Sequence, residues 1–131
     1  MAEIGQGSFQ HTVSEYLIRH RSILDVQSKL TESVARVNRA IAKCVTTCGC
    51  ISIKASRQRF PAEMSLAEVK SVVQTHVDGA LCERCREIVE TEIGTTLFYL
   101  AATASLLDLD LDAILRKEHE RVATLGVFHL T

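Results

Sequence analysis

The 131-residue chain contains no tryptophan, one proline and six glycines. That is too little turn chemistry for a strand-rich sandwich, a collagen-like repeat or a disordered segment. Neither sign of charge is in surplus: fifteen Lys and Arg face sixteen Asp and Glu, a formal net charge of -1. A dedicated nucleic-acid binder or a polybasic membrane binder needs excess cations, so neither partner is expected. No apolar run approaches the roughly 20 residues of a membrane span. The first twenty residues lack a basic stretch followed by an apolar one, so no signal peptide is expected and the protein reads as cytoplasmic.

What is present is an apolar fraction of 47% and a charged fraction of 24%, enough for one domain with its own core. Residues 1–131 are therefore read as a single helical domain. Gly5, Gly7 and Ser8 mark residues 1–11 as a flexible N-terminal arm. Thr12-Val13-Ser14-Glu15 has capping-box spacing, which starts a helix. No Gly or Pro interrupts the chain from there to Thr47, so the expectation is one helix over 12–47 or two meeting near Ser28. Leu30, Val34, Val37, Ile41, Cys44 and Cys48 recur at steps of four and three, the apolar stripe of a helix.

Gly49 ends that helix, because glycine enters the left-handed region cheaply. Ile51-Ser52-Ile53 alternates like a strand but, without an evident partner, reads as extended loop. Ser65-Leu66-Ala67-Glu68 starts a short helix to about 73, and Thr75 to Gly79 reads as a turn. A long helix is expected over 81–107, with Cys85, Ile88, Leu97, Leu100, Ala101 and Ala104 on one side. Asp110 then caps a last helix over 110–124. The fold class is all-α: a bundle of two long and two short helices.

The five cysteines are an odd number in a chain without an export signal, which argues against a disulfide framework. They are grouped: Cys44, Cys48 and Cys50, then Cys82 and Cys85. A tetrahedral metal needs four soft donors around one point, and C-x-C and C-x-x-C spacings each let one turn present two. Cys82 and Cys85 would leave the first turn of a helix, where the dipole favours thiolate over thiol. Cys48, Cys50, Cys82 and Cys85 are thus the candidate ligands of zinc or an iron–sulfur cluster. Cys44, on the core stripe, is read as a buried hydrophobe. Redox exchange through Cys82 and Cys85 and inert thiols are the competing readings, and His76 is a further candidate donor.

Glu83, Glu87, Glu90 and Glu92 crowd the third long segment. Carboxylates on facing helices can hold Mg²⁺, although capped, solvated helix faces look the same. Here a resemblance enters. Glu92-Ile93-Gly94-Thr95-Thr96-Leu97-Phe98-Tyr99-Leu100 with Leu109-Asp110-Leu111, and Lys29-Leu30-Thr31-Glu32 through Ala40-Ile41, resemble the MazG-type nucleoside triphosphate pyrophosphohydrolases. The resemblance spans roughly 29–47 and 87–125. It implies an all-α oligomer that cleaves nucleotides with Mg²⁺, held by Glu-x-x-Glu on one helix and Glu-x-x-Asp on the next. Glu92 matches the second motif, whereas Thr95, Ser33 and Arg36 stand at the other three ligand positions. A hydroxyl or guanidinium does not replace a carboxylate on a hard cation.

The leading expectation is accordingly a MazG-like scaffold without its hydrolase site, a catalytically degenerate binding or regulatory module stiffened by a cysteine-held metal. It forms a homodimer, with a nucleotide as a possible ligand. One alternative is a divergent Mg²⁺-dependent pyrophosphohydrolase using Glu32, Glu87, Glu90 and Glu92. The other is a purely structural helical oligomerisation domain.

Overall fold

The computed structural model describes residues 6–60 and 62–126, and they form five helices and one two-stranded hairpin. In chain order these are α1 (Gln6–Tyr16), α2 (Ile23–Lys43), a π-helical turn (Cys44–Cys48), β1 (Ile51–Ile53), α3 (Leu66–Val72), β2 (Val77–Gly79), α4 (Glu83–Leu106) and α5 (Leu111–Leu125). The long helices α2 and α4 pack side by side, and α1 crosses the far end of α4. Val26 near the start of α2 shares a core with Ala101 and Ala102 near the end of α4. At the other end Ala40 and Cys44 share a second core with Cys85 and Val89, so the two helices are antiparallel. Among the described residues, no helix is long and apolar enough to cross a membrane.

The all-α reading holds, with three corrections. First, residues 1–11 are not wholly a loose arm: helix α1 already begins at Gln6, while residues 1–5 lie outside the described residues. Tertiary packing overrides the local glycine, because two residues of α1 face the first core: Phe9 packs on it and Val13 is buried in it. Thr12 therefore lies inside a helix rather than at its start.

Second, the stretch 12–47 is two helices, broken over residues 17–22 rather than near Ser28. Leu17 at the break is buried in the first core.

Third, Ile51–Ile53 does have a strand partner. It pairs antiparallel with Val77–Gly79, Ile51 opposite Gly79 and Ile53 opposite Val77. The stretch read as a turn is the second strand, a long-range pairing that no local pattern reveals. Gly79 is needed there: its φ is +95°, and an added Cβ would stand 2.6 Å from the Cys50 carbonyl oxygen.

The helix termini follow the sequence. The Ser65 hydroxyl accepts the Glu68 amide, and the Asp110 carboxylate accepts the Asp112 amide. Gly49 adopts the left-handed conformation at φ 79°. The faces differ from expectation. Of the α2 stripe only Cys44 is buried; Val26, Ser33 and Ala40 are the other buried residues, and Val34 and Ile41 are exposed. Small residues on α2 meet small residues on α4, where Cys85, Ala101 and Ala104 are buried but Ile88, Leu97 and Leu100 are not. The buried Ser33 hydroxyl is satisfied by donating to the Leu30 carbonyl at 2.7 Å.

Candidate metal centre

Three pieces of local structure converge where α2 ends and α4 begins. The end of α2 widens into the π-helical turn, in which the Gly49 amide reaches the Cys44 carbonyl at 2.8 Å. The wider turn spends one extra residue per loop of backbone, so Cys48 leaves the stripe that holds Cys44. Gly49 then reverses the chain and delivers Cys50. The β1–β2 pairing carries the chain past Cys50 on its way to Cys82. Cys82 is the N-cap of α4, its sulfur accepting the Cys85 amide at 3.4 Å.

The sulfurs of Cys48, Cys50, Cys82 and Cys85 all lie within 4.8 Å of one another. Cys48 Sγ and Cys82 Sγ are 3.8 Å apart, beyond any disulfide length, and all five cysteines are free. Cys85 is buried, Cys50 and Cys82 are half-buried and Cys48 is exposed, so the cluster sits at the surface end of the second core. Cys44 stands apart from the four: it is buried, and its thiol donates to the Ala40 carbonyl at 3.1 Å. His76 does not belong to the group. It takes a positive φ of 62° at the start of β2, where its carbonyl accepts the Lys54 amide.

The four thiols are electrostatically unequal. The Cys85 amide, then the Cys85 thiol, holds Cys82 down to about 7, well below the usual thiol value. Cys85 is pushed above the ordinary range, first by the Cys82 sulfur and then by desolvation. Cys48 is pulled down by the Cys50 amide, but the neighbouring Cys82 and Cys50 sulfurs leave it raised overall. Near neutral pH the arrangement thus favours one thiolate surrounded by thiols. A dication at the centre would displace the remaining protons. Lys43 and Arg84 border the same cavity of about 450 Å³ as Cys44, Cys48 and Cys85. Their charge opposes the surplus negative charge that four thiolates would place around a dication.

The carboxylate set behaves differently. Glu32 and Glu92 both face Arg36, whose guanidinium is 3.7 Å and 3.3 Å from them respectively, and Lys29 also reaches Glu32 at 3.2 Å. Glu87 and Glu90 are exposed and line neither of the two cavities between α2 and α4 that hold Glu32, Arg36 and Glu92. Among the described residues, the four cysteines are the one group of three or more potential metal-ligating side chains drawn together.

Sequence spacing identified the four sulfurs, but not the device that aligns them. The π-helical turn has no sequence mark beyond Gly49, and the hairpin's only mark is Asp78-Gly79, which suits a turn equally well. No protein-family model, curated protein or solved structure matches the chain.

Proposed function

We propose that the protein is a non-catalytic binding or regulatory module on a MazG-like helical scaffold, its α2–α4 junction held by one zinc ion on Cys48, Cys50, Cys82 and Cys85. The observation that carries the metal assignment is the mutual closeness of four sulfurs. Redox exchange needs two thiols and inert thiols need no convergence, whereas four within 4.8 Å of one another surround a point. A metal–sulfur bond of about 2.3 Å in a tetrahedron sets sulfurs about 3.8 Å apart, the separation of Cys48 and Cys82. A cubane cluster spreads its thiolates over several irons and needs a wider cage, which favours a single ion. Such a site is closed to substrate, because protein sulfur fills every position.

The loss of hydrolysis rests on the second cavity. Ser33, Arg36, Glu92 and Thr95, the four positions at which the MazG resemblance places Mg²⁺ ligands, line one space of about 290 Å³ between α2 and α4. Their coming together supports the resemblance. Their chemistry opposes the activity, because the Arg36 guanidinium occupies the place of a ligand and pairs with the one remaining acid.

Elemental analysis and absorption spectra of anaerobically purified protein test the metal. One zinc per chain, colourless until cobalt replaces it, is the expected result. Protein that carries no metal and whose five thiols all react freely while folded would sink the assignment. Pyrophosphate release from a nucleotide panel with Mg²⁺ or Mn²⁺ should stay at background. Turnover abolished by Glu92→Gln with folding intact would overturn the non-catalytic reading.

A further inference from the structure

The four sulfurs of the metal centre are not equally sheltered. Cys85 is buried and Cys50 and Cys82 are half-buried, whereas Cys48 is exposed. Cys48 opens onto the cavity of about 450 Å³ that Lys43 and Arg84 border. Its sulfur lies 3.8 Å from that of Cys82. A disulfide is about 2.05 Å long, so the two need to close by only about 1.8 Å. The chain has room to shift there: Gly49 reverses it just after Cys48, and nothing stands within 4 Å of a Cβ added at that glycine.

Zinc holds its cysteine ligands as thiolates, the form that two-electron oxidants attack. With all four sulfurs deprotonated, access rather than acidity decides which reacts first, and access belongs to Cys48. A structural zinc site also needs all four of its protein donors. Loss of Cys48 and Cys82 would leave Cys50 and Cys85, too few to hold the ion.

We propose that the centre has a further function as a peroxide-responsive switch, in which oxidation joins Cys48 to Cys82 and expels the zinc. This rests on the zinc reading given above. The Cys48 thiolate attacks one oxygen of the peroxide. The O–O bond breaks, a sulfenic acid forms, and hydroxide leaves and takes up a proton as water. The positive charges of Lys43 and Arg84 at the border of the cavity favour that departure. The Cys82 thiolate then attacks the Cys48 sulfur, forms the S–S bond and releases a second hydroxide. In sum, two thiolates, one hydrogen peroxide and two protons give one disulfide and two waters, and Zn²⁺ departs. A dithiol reverses the change, becoming a disulfide itself as the thiols of Cys48 and Cys82 re-form. The oxidised junction is looser but not broken. Its disulfide still ties the last residue of the π-helical turn to the N-cap of α4, while Cys50, which leads into β1, is released.

Reduced protein of measured zinc content is treated with one equivalent of hydrogen peroxide beside a zinc-binding dye. The ion should be released with loss of two thiols, and an unreduced digest should contain a Cys48–Cys82 disulfide. Dithiothreitol and added zinc should restore the starting state. Cys44, buried and outside the four, should remain a free thiol. Hydrogen exchange in the oxidised protein should rise over residues 51–53 and 77–79 and stay low over 44–48 and 83–89. Cys48→His keeps a zinc-competent set of three cysteines and one histidine. It should bind zinc yet slow its release about tenfold or more. Disulfide mapping uses the wild-type chain, so it decides even where that variant fails to load. Protein without zinc would overturn the metal assignment and the switch together. Zinc retained under peroxide, a Cys82–Cys85 disulfide in place of Cys48–Cys82, or release from Cys48→His at the wild-type rate would overturn the switch and leave the metal assignment standing.

Discussion

The two ends of the α2–α4 pair are held by different means. At the end where α1 packs, Val13, Leu17, Val26, Ala101 and Ala102 are buried, and Phe9, Phe98 and Tyr99 close over them. Phe98 and Tyr99 meet edge to face with centroids 5.1 Å apart. At the other end two of the five buried residues are cysteines, no aromatic side chain among the described residues packs against them, and Val45, Leu81, Cys50 and Cys82 complete the cluster. Hydrophobic burial scales with apolar area, so the aliphatic end can sustain itself and the cysteine end has much less to draw on. The difference teaches where a cross-link matters: a metal adds most where packing supplies least.

The largest effect should come from removing that cross-link. Chelation, Cys82→Ser or Cys85→Ser should take metal content from one per chain to none and lower Tm on the order of 10 °C. Hydrogen exchange should rise across residues 44–53 and 77–89, while residues 13–26 and 98–106 keep their protection. Uniform loosening of both ends would break the comparison.

Next in size is Leu17→Ala, which empties a buried site at the aliphatic end and should cost about 3 kcal/mol in denaturant unfolding. Metal content should not change. Gly79→Ala sharpens the other side. The positive φ and the Cys50 carbonyl oppose a Cβ, so the hairpin should weaken by roughly 2 kcal/mol. A competition titration should show weaker metal binding as Cys50 shifts.

These outcomes bear on what was legible beforehand. The helices containing Val26 and Ala101 could be read because helical periodicity is local. Cys48, Cys50, Cys82 and Cys85 could be read because thiols at metal-ligand spacing are rare and chemically specific. The pairing of Ile51 with Gly79 could not, since it joins distant residues through backbone groups that every sequence shares. Nor could the burial of Ser33 and Ala40 in place of Val34 and Ile41. Which flank of a helix is covered depends on its neighbour, and α4 offers small residues where α2 does.

Two smaller effects remain. Cys44→Ala should cost about 1 kcal/mol and leave metal content intact, because Cys44 is a packing residue outside the four. In metal-free protein Cys82 should be alkylated first, its rate rising with a midpoint near pH 7, since its value lies at about 7. The fold stabilises this thiolate, so its contribution is present above the ordinary thiol value and lost as pH falls through about 7. Equal rates at Cys82 and Cys85 would contradict the inequality of the pair.

The chain between Cys50 and Cys82 is a loop closed by the cluster, the hairpin and the clasp in which the Gln58 amide brackets the Gln74 backbone. Inside it, none of the described side chains of α3 is buried. Closing a flexible loop grows costlier only with the logarithm of its length, about 0.6 kcal/mol per doubling. Insertions or deletions between Gln58 and Gln74 should therefore cost little in loop closure so long as that clasp is kept. A change of length within residues 54–76 would fall on a stretch that contributes no described residue to either buried core.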